Sequence, residues 1–465
     1  MASSTSQAGT APPPAASLGQ WLAYIERLHA RPIELGLERV ARVAQRLDLH
    51  LTSTVITVGG TNGKGSTCAF LEAMLAAAGY RVATYTSPHL VHFNERARLG
   101  GAAVSDEILV AQLARVEAAR GEVSLTYFEF TTLAILALFQ QEGPDVVILE
   151  VGLGGRLDAV NVIDPDCAIV TCIAIDHEAF LGDTRETIGW EKAHIFRSGR
   201  PALCVDERPP ASLTDYAARI GAPLQLIGRD FGFAVRGETW SCWGAGWRHD
   251  HLPLPELRGT NQVANATGAI VALEALGAAG SGDGSGAHPH CDRVALERGL
   301  RAARLAGRFQ VLESAPAVVL DVAHNPHASA QLARNLAEQG CAGTTMAVFG
   351  IMADKDLAGV LSPMLTRISR WFVVELPGDR AAPAAALAQE IVAKAGGAGA
   401  LLPGADHHSG GNAQVAISTH PSPRAGLAAA RQVAGPDDRI VVFGSFLTVA
   451  DILAERELSS DADAN

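Results

Sequence analysis

The sequence predicts an α/β protein with two domains, each built on a mostly parallel sheet. Short apolar and β-branched runs such as Val146–Val151 alternate with segments of helix length, which is typical of strands buried on both faces of a parallel sheet. The alternation starts afresh near residue 306, and 465 residues are more than one compact domain usually holds. We therefore expect an N-terminal parallel-sheet domain at residues 18–305 and a C-terminal Rossmann-like α/β domain at residues 306–465.

Apolar periodicity and turn residues locate the elements. Residues 1–17 are rich in Ala, Ser and Pro and are predicted to be a disordered tail. In the N-terminal domain, helices are predicted at Trp21–Leu28, Leu37–Leu47, Ser66–Ala78, Asp106–Ala119, Phe130–Gln140 and Glu186–Phe196. Strands are predicted there at Val55–Val58, Val82–Tyr85, Val146–Val151 and Ala168–Ile173. In the C-terminal domain, strands are predicted at Val318–Asp321, Thr345–Phe349, Trp371–Leu376 and Ile440–Phe443. Flexible surface loops are predicted at Gly277–Pro289 in the N-terminal domain and at Gly396–Gly411 in the C-terminal domain.

Composition excludes several classes of protein. A net charge of −12 gives the chain no general affinity for nucleic acid or anionic membranes. No apolar run approaches the roughly 20 residues that span a bilayer, and the start of the chain lacks a secretory signal. Seven cysteines without a CxxC spacing indicate reduced thiols. We expect a cytoplasmic protein, and we interpret the histidine pairs His249/His251, His288/His290 and His407/His408 as solvated rather than metal-binding.

The strongest local signal is the glycine-rich run Gly59–Thr67, which lies between a predicted strand and a predicted helix. Backbone N–H groups of such a loop can approach phosphate oxygens, the helix N-terminus adds partial positive charge, and Lys64 adds a full charge. The spacing differs from the standard P-loop, because Gly60 precedes Gly63 by three positions and Gly65 follows the lysine. A P-loop-type ATPase domain is therefore expected, with nucleotide contacts from Thr61, Asn62, Gly63, Lys64, Gly65 and Ser66.

This variant loop resembles that of the Mur ligase family, and further motifs follow it in the order typical of the family's folylpolyglutamate synthase branch. They are Thr86–Leu90, Leu149–Ala159, Asp176-His177, Glu191–Ala193, Gly307–Phe309 and Asp321–His327. The resemblance extends from about Trp21 to about Leu453. It implies ATP-dependent ligation, in which a carboxylate attacks the γ-phosphate and glutamate then displaces phosphate from the acyl phosphate. It also implies an active site between the two domains and a monomeric enzyme.

The resemblance implies two Mg²⁺ sites, which would offset the charge that develops between two anions. Ser87 and Glu150 match the ligands of the first metal, and His177 matches a ligand of the second. Glu150 follows a buried parallel strand, where ligands usually bind in such sheets. Lys192 matches a lysine that CO₂ carbamylates in this family, which would make it an anionic ligand of the second metal.

Further matches concern the nucleotide and the substrates. Asn265, Arg308 and Asp321 match nucleotide contacts of the family. His324 and Asn325 follow a buried strand of the second domain and are expected to contact glutamate or phosphate. His324 is also counted with Lys64, Lys192 and His177 among the candidate catalytic residues. The implied acids are dihydropteroate and reduced folates. The matching pterin-site residues are Ile33, Glu34, Leu35, Thr126, Tyr127, Phe128, Glu129, Leu157, Asp158 and Ala159.

Several alternatives compete with this interpretation. A nucleotide-dependent switch should carry an Asn-Lys-x-Asp guanine motif, which the sequence lacks, and a phosphotransferase would not need an amino-acid site. A muramyl ligase shares the chemistry, but Leu125–Glu129 and Arg156–Ala159 favour the folate branch. Folylpolyglutamate synthesis without dihydrofolate synthesis, or another ligase of the same type, also remains open.

Overall fold

The computed structural model describes residues 11–13, 15–283, 289–395 and 416–463, and it divides the chain into two compact units. Unit 1 contains the chain up to Glu256 together with Val263–Ala303. Unit 2 contains Leu257–Gln262 and the chain from Arg304 onward. Most of the predicted tail and the whole of the predicted loop Gly396–Gly411 lie outside the described residues.

Unit 1 alternates strands and helices as the sequence predicts. Its helices are α1 (Leu18–Ile25), α2 (Glu38–Arg46), α3 (Lys64–Ala77), α4 (Asp106–Arg120), α5 (Tyr127–Glu142), α6 (Glu178–Leu181), α7 (Arg185–Ala193), α8 (Ala211–Ile220), α9 (Thr260–Asp283, whose first residues belong to unit 2) and α10 (Arg293–Ala302). Its main strands are β1 (Thr54–Gly59), β2 (Val82–Tyr85), β3 (Ala97–Leu99), β4 (Ala102–Ala103), β5 (Val146–Glu150), β6 (Cys167–Val170), β7 (Ala202–Cys204) and β8 (Leu224–Leu226).

These eight strands form one sheet in the order β4-β3-β2-β5-β1-β6-β7-β8. The six neighbouring strands β2-β5-β1-β6-β7-β8 pair in parallel, so the prediction of a parallel sheet is confirmed. Strands β3 and β4 add an antiparallel edge that was not predicted. Strands β1 and β5 are neighbours, with Val58 opposite Glu150. Because parallel strands end at the same edge, the phosphate loop after β1 and Glu150 at the end of β5 lie side by side.

Two predictions about loops are wrong, and one sheet was not predicted. A second, antiparallel sheet consists of β9 (Gly232–Arg236), β10 (Thr239–Gly244) and β11 (Trp247–Pro253), which were not predicted. His249 therefore lies in a strand, and its Nε2 is 2.8 Å from the Glu274 carboxylate rather than in solvent. The Gly/Ser-rich run is helical as far as Asp283, because a helix already packed along one face can extend through residues of poor propensity. Residues 284–288 lie outside the described residues.

Unit 2 is built on a six-stranded sheet with the order β12-β13-β17-β14-β15-β16. Its strands are β12 (Gln310–Ser314), β13 (Ala317–Leu320), β14 (Thr345–Phe349), β15 (Arg370–Val374), β16 (Ala416–His420) and β17 (Arg439–Phe443). Its helices are α11 (Pro326–Glu338), α12 (Leu357–Leu361), α13 (Ala384–Lys394), α14 (Pro423–Val433) and α15 (Phe446–Asp463). Only β12 runs antiparallel to its neighbour, so the predicted α/β class is confirmed here too.

All seven cysteines are free thiols, as their spacing predicted. Within the described residues, no helix combines the length and the apolar character that crossing a membrane requires.

Candidate active site

The phosphate loop joins the end of β1 to α3, and the helix begins at Lys64, two residues earlier than predicted. Gly63 caps the helix with a φ of 89°, a left-handed conformation that glycine adopts without strain. A Cβ on Gly63 would lie 2.6 Å from Oδ1 of Asn265 on α9. The structure therefore brings the predicted nucleotide contact Asn265 directly against the loop, and only a residue without a side chain fits between them.

The loop is tied to the chain that follows β6. The Thr171 hydroxyl lies 2.6 Å from the carbonyl oxygen of Asn62, and the backbone N–H of Thr61 donates to the carbonyl of Cys172. A Cβ on Gly60 would lie 1.9 Å from the Thr171 hydroxyl, so this approach depends on glycine. Thr171 is almost fully buried. These bonds hold the first half of the loop in a fixed shape. In the sequence, Thr171 is only one residue of the predicted strand Ala168–Ile173, and nothing there marks it as a support of the loop.

Two lysines converge on one carbonyl oxygen of the loop. Nζ of Lys64 donates to Gly60 O over 3.1 Å, and Nζ of Lys192 on α7 donates to the same oxygen over 3.0 Å. Lys192 is only 3% exposed. Burial, and secondarily the charge of Lys64, lower the pKa of Lys192 to about 7, so a substantial fraction of its amine is neutral near pH 7.

Glu150 and Ser87 lie together beside the loop. The backbone N–H of Ser87, which follows β2, donates to Oε2 of Glu150 over 3.1 Å, and Glu150 is buried. One carboxylate and one hydroxyl supply hard oxygen atoms, the ligand type that Mg²⁺ prefers when phosphates and water complete its shell. The described residues contain no cluster of three or more His, Cys, Asp or Glu side chains that could hold a metal alone. The donor set thus fits a cation shared with phosphate.

Asp176 and His177 follow β6 through the segment that ties down the loop. His177 is exposed, has a φ of 55° and is the N-cap residue that precedes the short helix α6. Its backbone N–H donates to Oδ1 of Asp176, and Asp176 is one of the negative charges that act on Lys192. The structure therefore places Asp176 within electrostatic range of Lys192, while His177 is held at the surface of the same segment.

Phe128 and Asp158 flank the turn after β5. A Cβ on Gly152 would lie 2.5 Å from the Phe128 ring and 3.2 Å from Oδ2 of Asp158. Asp158 is buried and accepts hydrogen bonds from the backbone N–H groups of Leu153 and Val160. Burial raises the pKa of Asp158 to about 6, and these backbone hydrogen bonds oppose the rise. The structure thus brings together two of the predicted pterin-site residues, while Leu157 is half-buried and Ala159 begins a short 3-10 turn.

The other predicted pterin-site residues take part in a hydrogen-bond network. Thr126 and Glu129 form a capping box at the start of α5, and Arg39 on α2 donates to both Glu129 and Glu34. Glu34 also lies 3.1 Å from Nε2 of His29. Thr126, Glu129 and Glu34 therefore have a structural role that the sequence did not reveal, and Arg39 was not recognised at all. Ile33 is exposed and Leu35 and Tyr127 are half-buried.

In unit 2, Arg308 and Asp321 are neighbours at one end of the sheet. Asp321 follows β13 and accepts hydrogen bonds from the backbone N–H groups of Phe309 and Ala323. Burial raises the pKa of the Asp321 carboxyl, while Arg308 lowers it. The Arg308 guanidinium carbon lies 5.3 Å from the centroid of the Phe446 ring.

His324 and Asn325 follow directly. Nδ1 of His324 lies 2.8 Å from the carbonyl oxygen of Val322, which fixes the proton on Nδ1 when the ring is neutral. Asn325 is buried and caps α11 through the backbone N–H of Ala328. Asn325 thus has a local structural function at a helix N-terminus that was not predicted.

The fold and the phosphate loop define a class of protein, and comparison with protein families identifies it. Residues 58–205 match the Mur ligase middle domain, and residues 307–446 match the glutamate ligase domain of Mur ligases. The chain belongs to the Mur ligase family, which confirms the membership predicted from its motifs.

Within the family, the chain is similar to enzymes of folate metabolism. It is 41% identical to the dihydrofolate synthase/folylpolyglutamate synthase of Escherichia coli over 443 residues, 95% of this chain and 96% of that protein. A structure of E. coli FolC in complex with DHPP and ADP matches with a TM-score of 0.86 and 40% identity, covering 97% of this chain and 100% of that one. A bifunctional folylpolyglutamate synthase/dihydrofolate synthase with Mn, AMPPNP and L-glutamate bound matches with a TM-score of 0.84 and 40% identity, covering 96% and 100%.

Proposed function

We propose that this chain is an ATP-dependent ligase that joins L-glutamate to 7,8-dihydropteroate, giving dihydrofolate, and to the γ-carboxylate of reduced folates, giving folylpolyglutamates. The observation that carries the proposal is that the phosphate loop and Glu150 lie at the same edge of one sheet. The chain is also 41% identical to a dihydrofolate synthase/folylpolyglutamate synthase. Bound ADP and AMPPNP in the related structures support ATP as the phosphate donor.

The first step brings a substrate carboxylate to the γ-phosphate of ATP. The carboxylate oxygen forms a bond to phosphorus, ADP leaves, and an acyl phosphate results. Lys64 and the N–H groups at the start of α3 offset the negative charge of the phosphates. The amine of glutamate then attacks the acyl carbon, phosphate leaves, the nitrogen gives up a proton and an amide forms.

Ser87 and Glu150 would hold Mg²⁺ at the nucleotide phosphates. Manganese bound in a related structure supports the use of a divalent cation. When bound, the cation would withdraw charge from the phosphate oxygens as a Lewis acid. The backbone N–H of Ser87 keeps the Glu150 carboxylate in place for this role.

Lys192 would carry a carbamate and, with His177, hold a second cation. A carbamate forms when a neutral amine attacks the carbon of CO₂, creates an N–C bond and releases one proton. The low pKa of Lys192, about 7, supports the proposal because much of the amine is neutral at that pH. Carbamylation would also replace a buried positive charge with an oxygen ligand.

Asn265 would contact the nucleotide beside Gly63, and Arg308 and Asp321 of unit 2 would contribute further nucleotide contacts. His324, on the same segment as Asp321, would contact glutamate or phosphate. The L-glutamate bound in a related structure supports an amino-acid site in this family.

Phe128 would stack on the pterin ring, and Asp158 would accept hydrogen bonds from its polar edge. DHPP bound in the E. coli structure supports a pterin-like ligand. The closeness of Phe128 and Asp158 across Gly152 supports a common pocket for the two residues.

Product analysis tests this function. The purified protein is incubated with ATP and Mg²⁺, with dihydropteroate and a reduced folate in parallel, with and without glutamate. We expect ADP, phosphate and an amide product from either acid only when glutamate is present. Activity with the reduced folate alone would reduce the function to folylpolyglutamate synthesis, and activity with neither acid would point to another acid–amino-acid ligase.

A further inference from the structure

Arg96 is a buried cation that forms no ion pair with any Asp or Glu in the described part of the chain. It ends the 3-10 turn Phe93–Arg96 and is only 8% exposed. Its Nε donates to Nδ1 of His89 over 2.9 Å, and its guanidinium carbon lies 5.3 and 5.7 Å from the ring centroids of Phe93 and Tyr127. Among the residues that the structure describes, no Asp or Glu forms an ion pair with Arg96, and no hydrogen bond uses its two Nη atoms.

Such an arrangement is unusual, because buried charges are almost always paired. Two aromatic rings attract a cation through the negative faces of their π-systems, but they leave most of the five N–H donors of a guanidinium without an acceptor. Arg98, two residues further along, shows the ordinary solution: its Nε lies 3.3 Å from the carboxylate of Glu72. Arg96 therefore retains a charge and donor groups for an anion that is not part of the protein.

The position of Arg96 indicates which anion this is. His89 stands two residues after Ser87, and Tyr127 is next to Phe128 at the start of α5. Burial raises the pKa of Tyr85; the nearby charge of Arg96 lowers it, while Asp158 and Glu150 raise it. The Tyr85 hydroxyl therefore lies within electrostatic range of Arg96, of the proposed pterin contact Asp158 and of the proposed metal ligand Glu150. Arg96 therefore lies beside the ring of Tyr127, the neighbour of the proposed pterin contact Phe128, and it is bonded to His89, two residues from the proposed metal ligand Ser87.

We propose that Arg96 binds and orients the carboxylate of the acid substrate for attack on ATP. This inference rests on the proposed function, because it takes an aromatic pterin acid as the ligand. The planar fork of arginine can donate two parallel hydrogen bonds to one carboxylate, which fixes its direction as well as its position. Phe93 and Tyr127 contact the guanidinium through their rings and not through hydrogen-bond acceptors, so its Nη donors can bind the ligand.

The test removes the carboxylate from the ligand and the charge from the protein in turn. Binding of dihydropteroate is compared with binding of its decarboxylated analogue, the 6-anilinomethyl dihydropterin, by calorimetry with EDTA and without nucleotide. EDTA leaves only protein groups to hold the carboxylate. We expect the unmodified protein to bind the acid about 10- to 100-fold more tightly, the range for a hydrogen bond between charged groups. Arg96→Met should bind both ligands equally, and Arg96→Lys should keep part of the preference.

Arg98→Met is the matched control, because it removes a neighbouring arginine that is already paired with Glu72. It should lower Tm and leave the preference for the acid unchanged. A correctly folded Arg96→Met protein that still prefers the acid by the full factor would overturn the role of Arg96 while leaving the proposed function intact. If the unmodified protein binds neither ligand, the pterin substrate is wrong and the inference fails with it.

Discussion

Lys192 occupies a buried position, at which a lysine side chain lowers the free energy of unfolding. Its amine is buried and donates to Gly60 O, an oxygen that Lys64 already shares. Burial holds the pKa of Lys192 at about 7, well below the usual value for lysine. Such a residue is expected at a functional site, where strongly shifted pKa values are concentrated.

Replacing Lys192 with Met should therefore stabilise the protein and abolish ligation. We expect Tm to rise by roughly 4 °C or more at pH 7, measured with EDTA and in CO₂-free buffer. Between pH 7 and 10 the folded wild type binds fewer protons than the unfolded chain, because its Lys192 pKa is lowered, so its stability rises with pH. The advantage of Lys192→Met should shrink over that range. A lower Tm for the variant at pH 7 would contradict this account.

Carbamylation of Lys192 can be tested separately. Gentle-ionisation mass spectrometry of the protein with bicarbonate and Mg²⁺ should show an adduct that Lys192→Met lacks. Activity should fall when CO₂ is depleted and return when bicarbonate is added. Full activity after CO₂ depletion, with a bare amine in a metal-bound crystal, would contradict the proposal.

Glu150 should be essential for ligation, because Ser87, the other proposed ligand of the same cation, carries no charge. Glu150→Gln keeps the shape and the acceptor for the Ser87 N–H, but it removes the charge. We expect kcat to fall by about 100-fold or more with Tm nearly unchanged, measured over a Mg²⁺ titration. Near-normal turnover at saturating ATP and Mg²⁺ would exclude Glu150 from the site.

At the scale of elements, the phosphate loop depends on the strand beside it as much as on its own glycines. The segment after β6 binds Thr61 and Asn62 and then continues to Asp176 and His177. One short segment therefore fixes the loop and leads to the residues proposed for the second metal.

Thr171 tests this connection. Thr171→Val keeps the volume but removes the hydroxyl that bonds the Asn62 carbonyl. We expect the unfolding free energy to fall by about 1 kcal/mol and the KM for ATP to rise roughly fivefold, because the loop is less well fixed. Thr171→Ser retains the hydroxyl and should stay close to wild type in both. An unchanged KM for ATP in Thr171→Val would show that the loop keeps its shape without this bond.

At the scale of the whole molecule, we expect one active site to serve both acids. The reduced folate is longer by one glutamate, so its pterin must bind farther from ATP if the same phosphate loop is used. The pocket formed by Phe128 and Asp158 should then matter more for dihydropteroate.

The measurement is the ratio of kcat/KM for the two acids. Phe128→Ala should lower kcat/KM for dihydropteroate by about tenfold more than for the reduced folate. The reason is that only dihydropteroate would lose the stacking of its pterin on the Phe128 ring, which is worth roughly 1–1.5 kcal/mol. Lys64→Ala should abolish both activities. Equal losses in Phe128→Ala would argue against a separate pterin pocket.

The elements that could be predicted are those with local signals. Val82–Tyr85 and Thr345–Phe349 were predicted to the residue, because apolar runs buried on both faces contrast sharply with their flanks. The strands β9, β10 and β11 were missed, because their tryptophan, histidine and arginine residues give no clear alternation. Their pairing depends on contacts between strands rather than on any one segment.

The sequence by itself determined the fold class, the phosphate loop and the order of motifs that assigns the chain to its family, because these are properties of consecutive residues. Only the tertiary structure decided that Lys64 and Lys192 share the Gly60 carbonyl, that Thr171 lies under the loop, and that Arg96 has no acidic partner among the described residues. The physical reason is that pKa values, close packing and charge balance depend on which distant segments meet. An exposed lysine is a cation near pH 7, whereas Lys192, buried near Lys64, is neutral in a substantial fraction of molecules at that pH.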